Sequence, residues 1–164
     1  MTTYNVLFIC TGNSARSILA EALASHTATA AVRLRGFSAG SHPKSEPNPF
    51  ALELLREQDW PVEGFRSKSW NEFEGPDAPA MDFVFTVCDQ AAAEECPCWP
   101  GHPATAHWGL PDPAAVEGGD EDRRRAFREA FQVLKRRIDR LVRLPFEDLD
   151  APALRAQLHE IGRD

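Results

Sequence analysis

Apolar residues follow two patterns along this chain. The unbroken run Val6-Leu7-Phe8-Ile9 and the largely apolar Phe83-Val84-Phe85-Thr86-Val87 have the length and character of strands buried on both faces of a parallel sheet. Elsewhere the apolar positions recur every three or four residues, the period of a helix with one buried face. Strands are therefore predicted at residues 4–9, 32–37 and 83–87, with a short one at 106–108, and helices at 14–26 and 48–58. After a Pro/Gly/Asp-rich loop at 109–120 comes the longest helix, with Phe127, Phe131, Leu134, Ile138 and Leu141 as its core-facing stripe. A last helical turn or two is expected around Leu154, Leu158 and Ile161.

Punctuation supports these boundaries. Asn48 followed by Pro49 reads as an N-cap with proline in the first helical position, and Ser69 with Glu72 has capping-box spacing for a short helix near Trp70. Strands alternating with helices give an α/β protein: a doubly wound, parallel four-stranded sheet with helices on both faces and right-handed crossovers. No repeat, low-complexity tract or linker interrupts the pattern, so residues 1–164 read as one domain.

Composition narrows the partners. A net charge of −7 argues against nucleic acid as a partner for the molecule as a whole. No apolar run approaches the ~18 residues needed to span a bilayer, and no basic leader precedes the first strand, so a cytoplasmic protein without a membrane partner is expected. In a reducing compartment its four cysteines read as catalytic or metal-binding rather than as structural disulfides.

The chemistry concentrates where the first strand gives way to the first helix, at Cys10-Thr11-Gly12-Asn13-Ser14-Ala15-Arg16-Ser17. Backbone amides of a loop running into a helix N-terminus point at a tetrahedral anion, and an arginine at its far end adds a bidentate fork. The same field is expected to depress the Cys10 pKa and supply a thiolate. A bland alternative is a buried strand-end cysteine beside a solvated arginine. Ligands of such sheets bind beyond the carboxyl ends of the strands, where strand order reverses. The first strand ends at Cys10 and the third at Cys88. As neighbours about 4.8 Å apart they would share one pocket. Further on, Pro111-Asp112-Pro113 holds a carboxylate between two prolines, which suits either a general acid or an ordinary turn aspartate.

Four separated motifs, Cys-Thr-Gly-Asn-Ser-x-Arg-Ser at 10–17, Phe-Ser-Ala-Gly at 37–40, Thr-Val-Cys at 86–88 and His-Trp-Gly-x-x-Asp-Pro at 107–113, together resemble arsenate reductases built on the low-molecular-weight tyrosine phosphatase fold. The likeness covers about the first 120 residues. It implies that Cys10 is the nucleophile, Arg16 the oxyanion ligand with the amides of residues 11–15, Ser17 a hydroxyl stabilising the thiolate, and Asp112 the general acid. It further implies that Cys88 is the resolving thiol and Cys96 the third redox cysteine. No bound cofactor follows from the resemblance. The external reductant would be thioredoxin or glutathione with glutaredoxin, and phosphate or sulfate would compete with arsenate. A phosphatase hydrolysing phosphate monoesters is the alternative, since both chemistries begin with the same thiolate attack. Such phosphatases tend to carry an aromatic residue after the Asp-Pro pair; here it is Ala114.

The remaining candidates have simpler readings. Cys88, Cys96, Cys98, His102 and His107 include zinc-ligand types, but not at knuckle spacing, and no metal is expected. His107 reads as a packed strand-end histidine. The arginines at 123–125, 136, 137, 140 and 143 read as one salt-bridged, solvated helix face. The resemblance also implies a monovalent-cation site under the nucleophile loop at Glu21 and Asn13, although a surface glutamate and a loop-bracing asparagine explain them more simply.

Overall fold

The computed structural model describes residues 1–93 and 99–164. Its centre is a four-stranded parallel sheet formed by β1 (Thr2–Cys10), β2 (Val32–Gly40), β3 (Phe83–Thr86) and β4 (Ala104–His107), in the order β2-β1-β3-β4. The helices are α1 (Arg16–Ser25), α2 (Pro49–Glu57), α3 (Asp89–Ala93), α4 (Asp120–Val142) and α5 (Ala151–Gly162). The expected class and the adjacency of the first and third strands are both present. Strand order reverses at β1, so the β1 and β3 ends open onto one crevice.

Val6, Leu7, Phe8 and Ile9 are fully buried, as an unbroken apolar strand requires when helices cover both its faces. In α4 the anticipated stripe of Phe127, Phe131, Leu134, Ile138 and Leu141 is buried. Asn48 caps α2 by accepting from Phe50 N at 2.8 Å, with Pro49 in the first turn. Trp108, fully buried, stacks on Phe85 with ring centroids 3.7 Å apart and donates its indole N–H to Leu158 O of α5. This contact pins the C-terminal helix over β4.

Several boundaries differ from expectation. α1 begins at Arg16 rather than residue 14, because residues 11–15 form the loop over the strand end. β2 runs on to Gly40, carrying the Ser-Ala-Gly step into the sheet. α5 is a helix of 12 residues rather than a turn or two, capped by Asp150, which accepts from Ala153 N. α3 has no counterpart in the apolar pattern, being five residues long with only Ala91 buried. Ser69 does cap the 3-10 turn Trp70–Phe73, but Glu72 completes no capping box and pairs with Arg66 instead. Among the described residues no helix is long and apolar enough to cross a membrane.

Candidate active site

The loop after β1 and the residues after β3 meet over a cavity of about 480 Å³ lined by Cys10, Thr11, Gly12, Ser14, Ala15 and Arg16, with Cys88 and Asp112 across from them. Cys10 and Cys88 are both buried free thiols. Thr11 Oγ1 lies 3.4 Å from Cys88 Sγ, and Ala91 N donates to the same sulfur at 3.4 Å. Arg16 points its fork across the cavity. Its Nη1 donates to Leu110 O at 2.8 Å, its Nη2 lies 3.8 Å from Asp112 Oδ2, and its buried Nε has no protein partner. A buried guanidinium N–H without an acceptor is costly unless an incoming anion takes it.

Asp112 has two contacts. Its Oδ1 accepts from Ala114 N at 2.9 Å as the cap of the 3-10 turn Pro113–Ala115, while Oδ2 faces Arg16. The two readings of this aspartate, turn former and cavity carboxylate, therefore coexist, one on each oxygen. Lys44 and His42 also line the cavity, on a segment whose backbone amides bond Gly12 O and Thr11 O at 2.9 Å each. Sequence reasoning passed over both, because the Pro-rich stretch at 41–47 shows no periodicity to place it.

Two residues of the loop lie beneath the cavity rather than in its wall. Asn13, fully buried with φ of +47°, donates through Nδ2 to Ser17 Oγ and Ser38 Oγ at 2.9 Å each and accepts at Oδ1 from Lys68 N. This places Ser17 Oγ against Asn13, where it braces the loop. The Phe-Ser-Ala-Gly step supplies the floor: Ser38 joins Asn13 to Glu21, and a Cβ at Gly40 would come within 2.5 Å of Thr11 O. Glu21 is not a surface residue. It is largely buried, with the Lys68 ammonium 3.7 Å away and Lys68 Nζ also 3.5 Å from Asn13 Oδ1. Burial pushes the Glu21 carboxyl up and the Lys68 ammonium down, each opposed by the other's charge. The protein thus places its own cation beside Glu21 and Asn13.

Comparison with known proteins agrees with this geometry. The low molecular weight phosphotyrosine protein phosphatase family matches residues 5–153. The chain belongs to that family. Within it, the chain is 33% identical over 142 residues to an arsenate reductase of Bacillus licheniformis, covering 85% of this chain and 96% of that one. Among solved structures it resembles a thioredoxin-dependent arsenate reductase of Corynebacterium glutamicum at 30% identity and a TM-score of 0.57, covering 85% of this chain and 60% of that chain. An arsenate reductase of Archaeoglobus fulgidus aligns at 26% identity with a TM-score of 0.62, covering 84% and 98% of the two chains. The resemblance read from the four motifs is therefore shown.

The thiol pair departs from the simple expectation for a phosphatase-family loop. Arg16 and the Gly12 amide do lower the Cys10 pKa, but the hydrogen bond with Cys88, burial and the Cys88 charge outweigh them and raise it well above an ordinary thiol. Cys88 is pushed down to about 5, chiefly by that same bond and further by Thr11 and the Ala91 amide, against its own burial. The two thiols titrate as a pair, the hydrogen bond between them raising Cys10 and lowering Cys88. Iodoacetamide at pH 6.5 should accordingly modify Cys88 first, with a rate that titrates near 5. In Cys88→Ser the two contributions of Cys88 disappear while burial remains, and alkylation of Cys10 should then titrate lower than in the wild type. Preferential labelling of Cys10 in the wild type, read by peptide mapping, would contradict this distribution of charge.

The other sequence-derived candidates sort as follows. Cys96 and Cys98 lie outside the described residues. Among the described residues no group of three or more His, Cys, Asp or Glu side chains is gathered to hold a metal. Arg137, expected on the solvated face of α4, is buried and donates to Trp108 O at 2.7 Å and Gly109 O at 3.2 Å. It holds the segment that leads from β4 to Asp112. His107 ends its strand as expected but is half-exposed and hydrogen-bonded rather than packed.

Proposed function

We propose that this protein reduces arsenate to arsenite through its cysteine thiols. The observation that carries the reading is the presence of two free sulfurs, Cys10 and Cys88, in one cavity with the Arg16 fork. Hydrolysis of a cysteinyl-phosphate needs only one thiol and water, whereas reduction needs a second thiol to draw two electrons from the pair. Among the described residues no Phe, Tyr or Trp lines the cavity, which suits a small inorganic oxyanion better than the ring of a phosphotyrosine.

In this reading arsenate sits against the amides of residues 11–15 and takes the free Nε–H of Arg16. The proton shared by the thiols passes to Cys88 as Cys10 attacks arsenic, and Asp112 protonates the departing oxygen, which leaves as water. Cys88 releases that proton to solvent and, as the thiolate, then attacks the Cys10 sulfur. An S–S bond forms, the S–As bond breaks with its electron pair left on arsenic, and arsenite departs. Cys96 takes over the disulfide, and thioredoxin, or glutathione with glutaredoxin, restores the thiols. Phosphate and sulfate compete at the same amides. The relay, the donor and the cytoplasmic setting belong to this proposal, as does treating residues 1–164 as one domain.

The test is arsenate-dependent NADPH oxidation, with thioredoxin and its reductase in one assay and glutathione, glutaredoxin and glutathione reductase in the other. Turnover in either supports the reading; a protein inert toward arsenate in both but fast on phosphotyrosine is a phosphatase. Asp112 gives a second check. If its carboxyl protonates the leaving oxygen, Asp112→Asn should slow hydrolysis of an aryl phosphate with a poor leaving group by about 10²-fold and spare one with a good leaving group. Equal slowing of both would leave Asp112 as the turn former alone.

A further inference from the structure

Beside Cys88 runs a chain of hydrogen bonds that the chemistry above does not use. His107, the last residue of β4, places Nε2 2.8 Å from Asp89 Oδ1 and Nδ1 2.8 Å from Thr86 Oγ1. Thr86 ends β3 two residues before Cys88, and Asp89 opens α3 directly after it. One imidazole therefore bonds a side chain on each side of the cysteine. A carboxylate can only accept, so Nε2 carries a proton toward Asp89, while Nδ1 shares its hydrogen bond with the Thr86 hydroxyl.

The neighbouring residues keep this ring in place. Trp108 fixes the base of the ring to the core: its backbone N donates to Thr86 O at 2.7 Å, and its indole is anchored on α5. Gly109 leaves the space the contact needs, since a Cβ there would fall 2.5 Å from His107 Nε2 and 2.9 Å from Asp89 Oδ1. The His-Trp-Gly step is thereby accounted for residue by residue, as clamp, anchor and clearance.

We infer that His107 is a positioning residue for Cys88, holding the residues on either side so that the Cys88 sulfur stays aligned with Cys10. This rests on the reductase reading, in which Cys88 Sγ attacks Cys10 Sγ, the S–S bond replaces the S–As bond, arsenic(V) gains two electrons as arsenite leaves, and the two sulfurs supply them. The Asp89 side chain is 96% exposed and that of His107 39%. Such a contact adds little to global stability, so its effect belongs in the approach of one sulfur to the other.

The experiment equilibrates the full-length protein, in a Cys96→Ser/Cys98→Ser background, with oxidised and reduced glutathione, and measures the Cys10–Cys88 disulfide by thiol trapping and mass mapping. The effective concentration of one thiol for the other should fall about fivefold in His107→Ala. It should return to near the parent value in His107→Gln, whose amide again sets a donor beside an acceptor. Hydrolysis of an aryl phosphate, which needs Cys10 but not Cys88, should stay at the parent level in both variants. An unchanged effective concentration in His107→Ala, no recovery in His107→Gln, or an equal loss of aryl phosphate hydrolysis overturns the inference. Failure of the wild-type protein to reduce arsenate would instead overturn the reductase reading, and the glutathione equilibrium, which involves no arsenate, would still report on the clamp.

Discussion

Replacing Cys88 by serine is expected to leave a protein that attacks oxyanions yet completes no arsenate cycle. The first step depends on Cys10, the loop amides and Arg16, all of which the variant keeps. The serine hydroxyl preserves the size of the side chain against Thr11 and Ala91. Removing Cys88 also removes two of the three causes that raise the Cys10 pKa, its hydrogen bond and its charge, leaving burial, so Cys10 in the variant should be a better thiolate than in the wild type. Hydrolysis of an aryl phosphate should therefore stay within about threefold of wild type or rise. Arsenate turnover with thioredoxin as the only donor should fall by at least about 10³-fold, because no second sulfur can displace arsenic from Cys10. Cys96→Ser should permit one turnover and then stall, and Cys98→Ser should be nearly silent. Full turnover by Cys88→Ser under thioredoxin would remove the relay from the proposed mechanism.

The parts of this molecule that could be read from its sequence are those whose partners lie nearby along the chain or follow from sheet topology. Val6 to Ile9 announce a buried strand by composition alone, and the stripe from Phe127 to Leu141 announces a helix by period. Cys10 and Cys88, 78 positions apart, could be brought together from the sequence because parallel neighbouring strands end on the same side of a sheet. What stayed hidden depends on contacts that no local pattern encodes. Arg137 sits within the α4 stripe, between Leu134 and Leu141, and that position was a usable signal of burial. Its acceptors, however, are backbone carbonyls 28 and 29 positions away, which no side-chain pattern reveals. Glu21 looked like a surface residue because its partners, Ser38 and Lys68, come from a strand and a loop with no periodic relation to α1. The thiol energetics were hidden for another reason. A loop of amides and an arginine does lower a cysteine pKa, but a second thiol in contact reverses the outcome, and only the packed geometry shows that contact.

Arg16→Lys is expected to cost the site most of its affinity for oxyanions while leaving the fold intact. Arg16 does two things at once. Through Nη1 it ties the Leu110 carbonyl, two residues before Asp112, to the start of α1, and its Nε is a buried N–H with no protein partner on a side chain that lines the cavity. A lysine ammonium can reach one of these positions but not both, and it presents a point charge where the fork presents directed donors. If lysine kept the bond to Leu110, the anion would lose its directed donor; if it turned to the anion, the segment carrying Asp112 would lose its tie. Phosphate protection of the thiols against alkylation should therefore weaken by about 10²-fold, and kcat/KM for an aryl phosphate should fall by about 10³-fold. Unfolding should change little, since the exchanged side chain keeps its charge and much of its apolar stem. The two losses distinguish the roles. If charge alone held the anion, Arg16→Lys would retain phosphate protection within a few-fold, and the directed fork would have no part in the site.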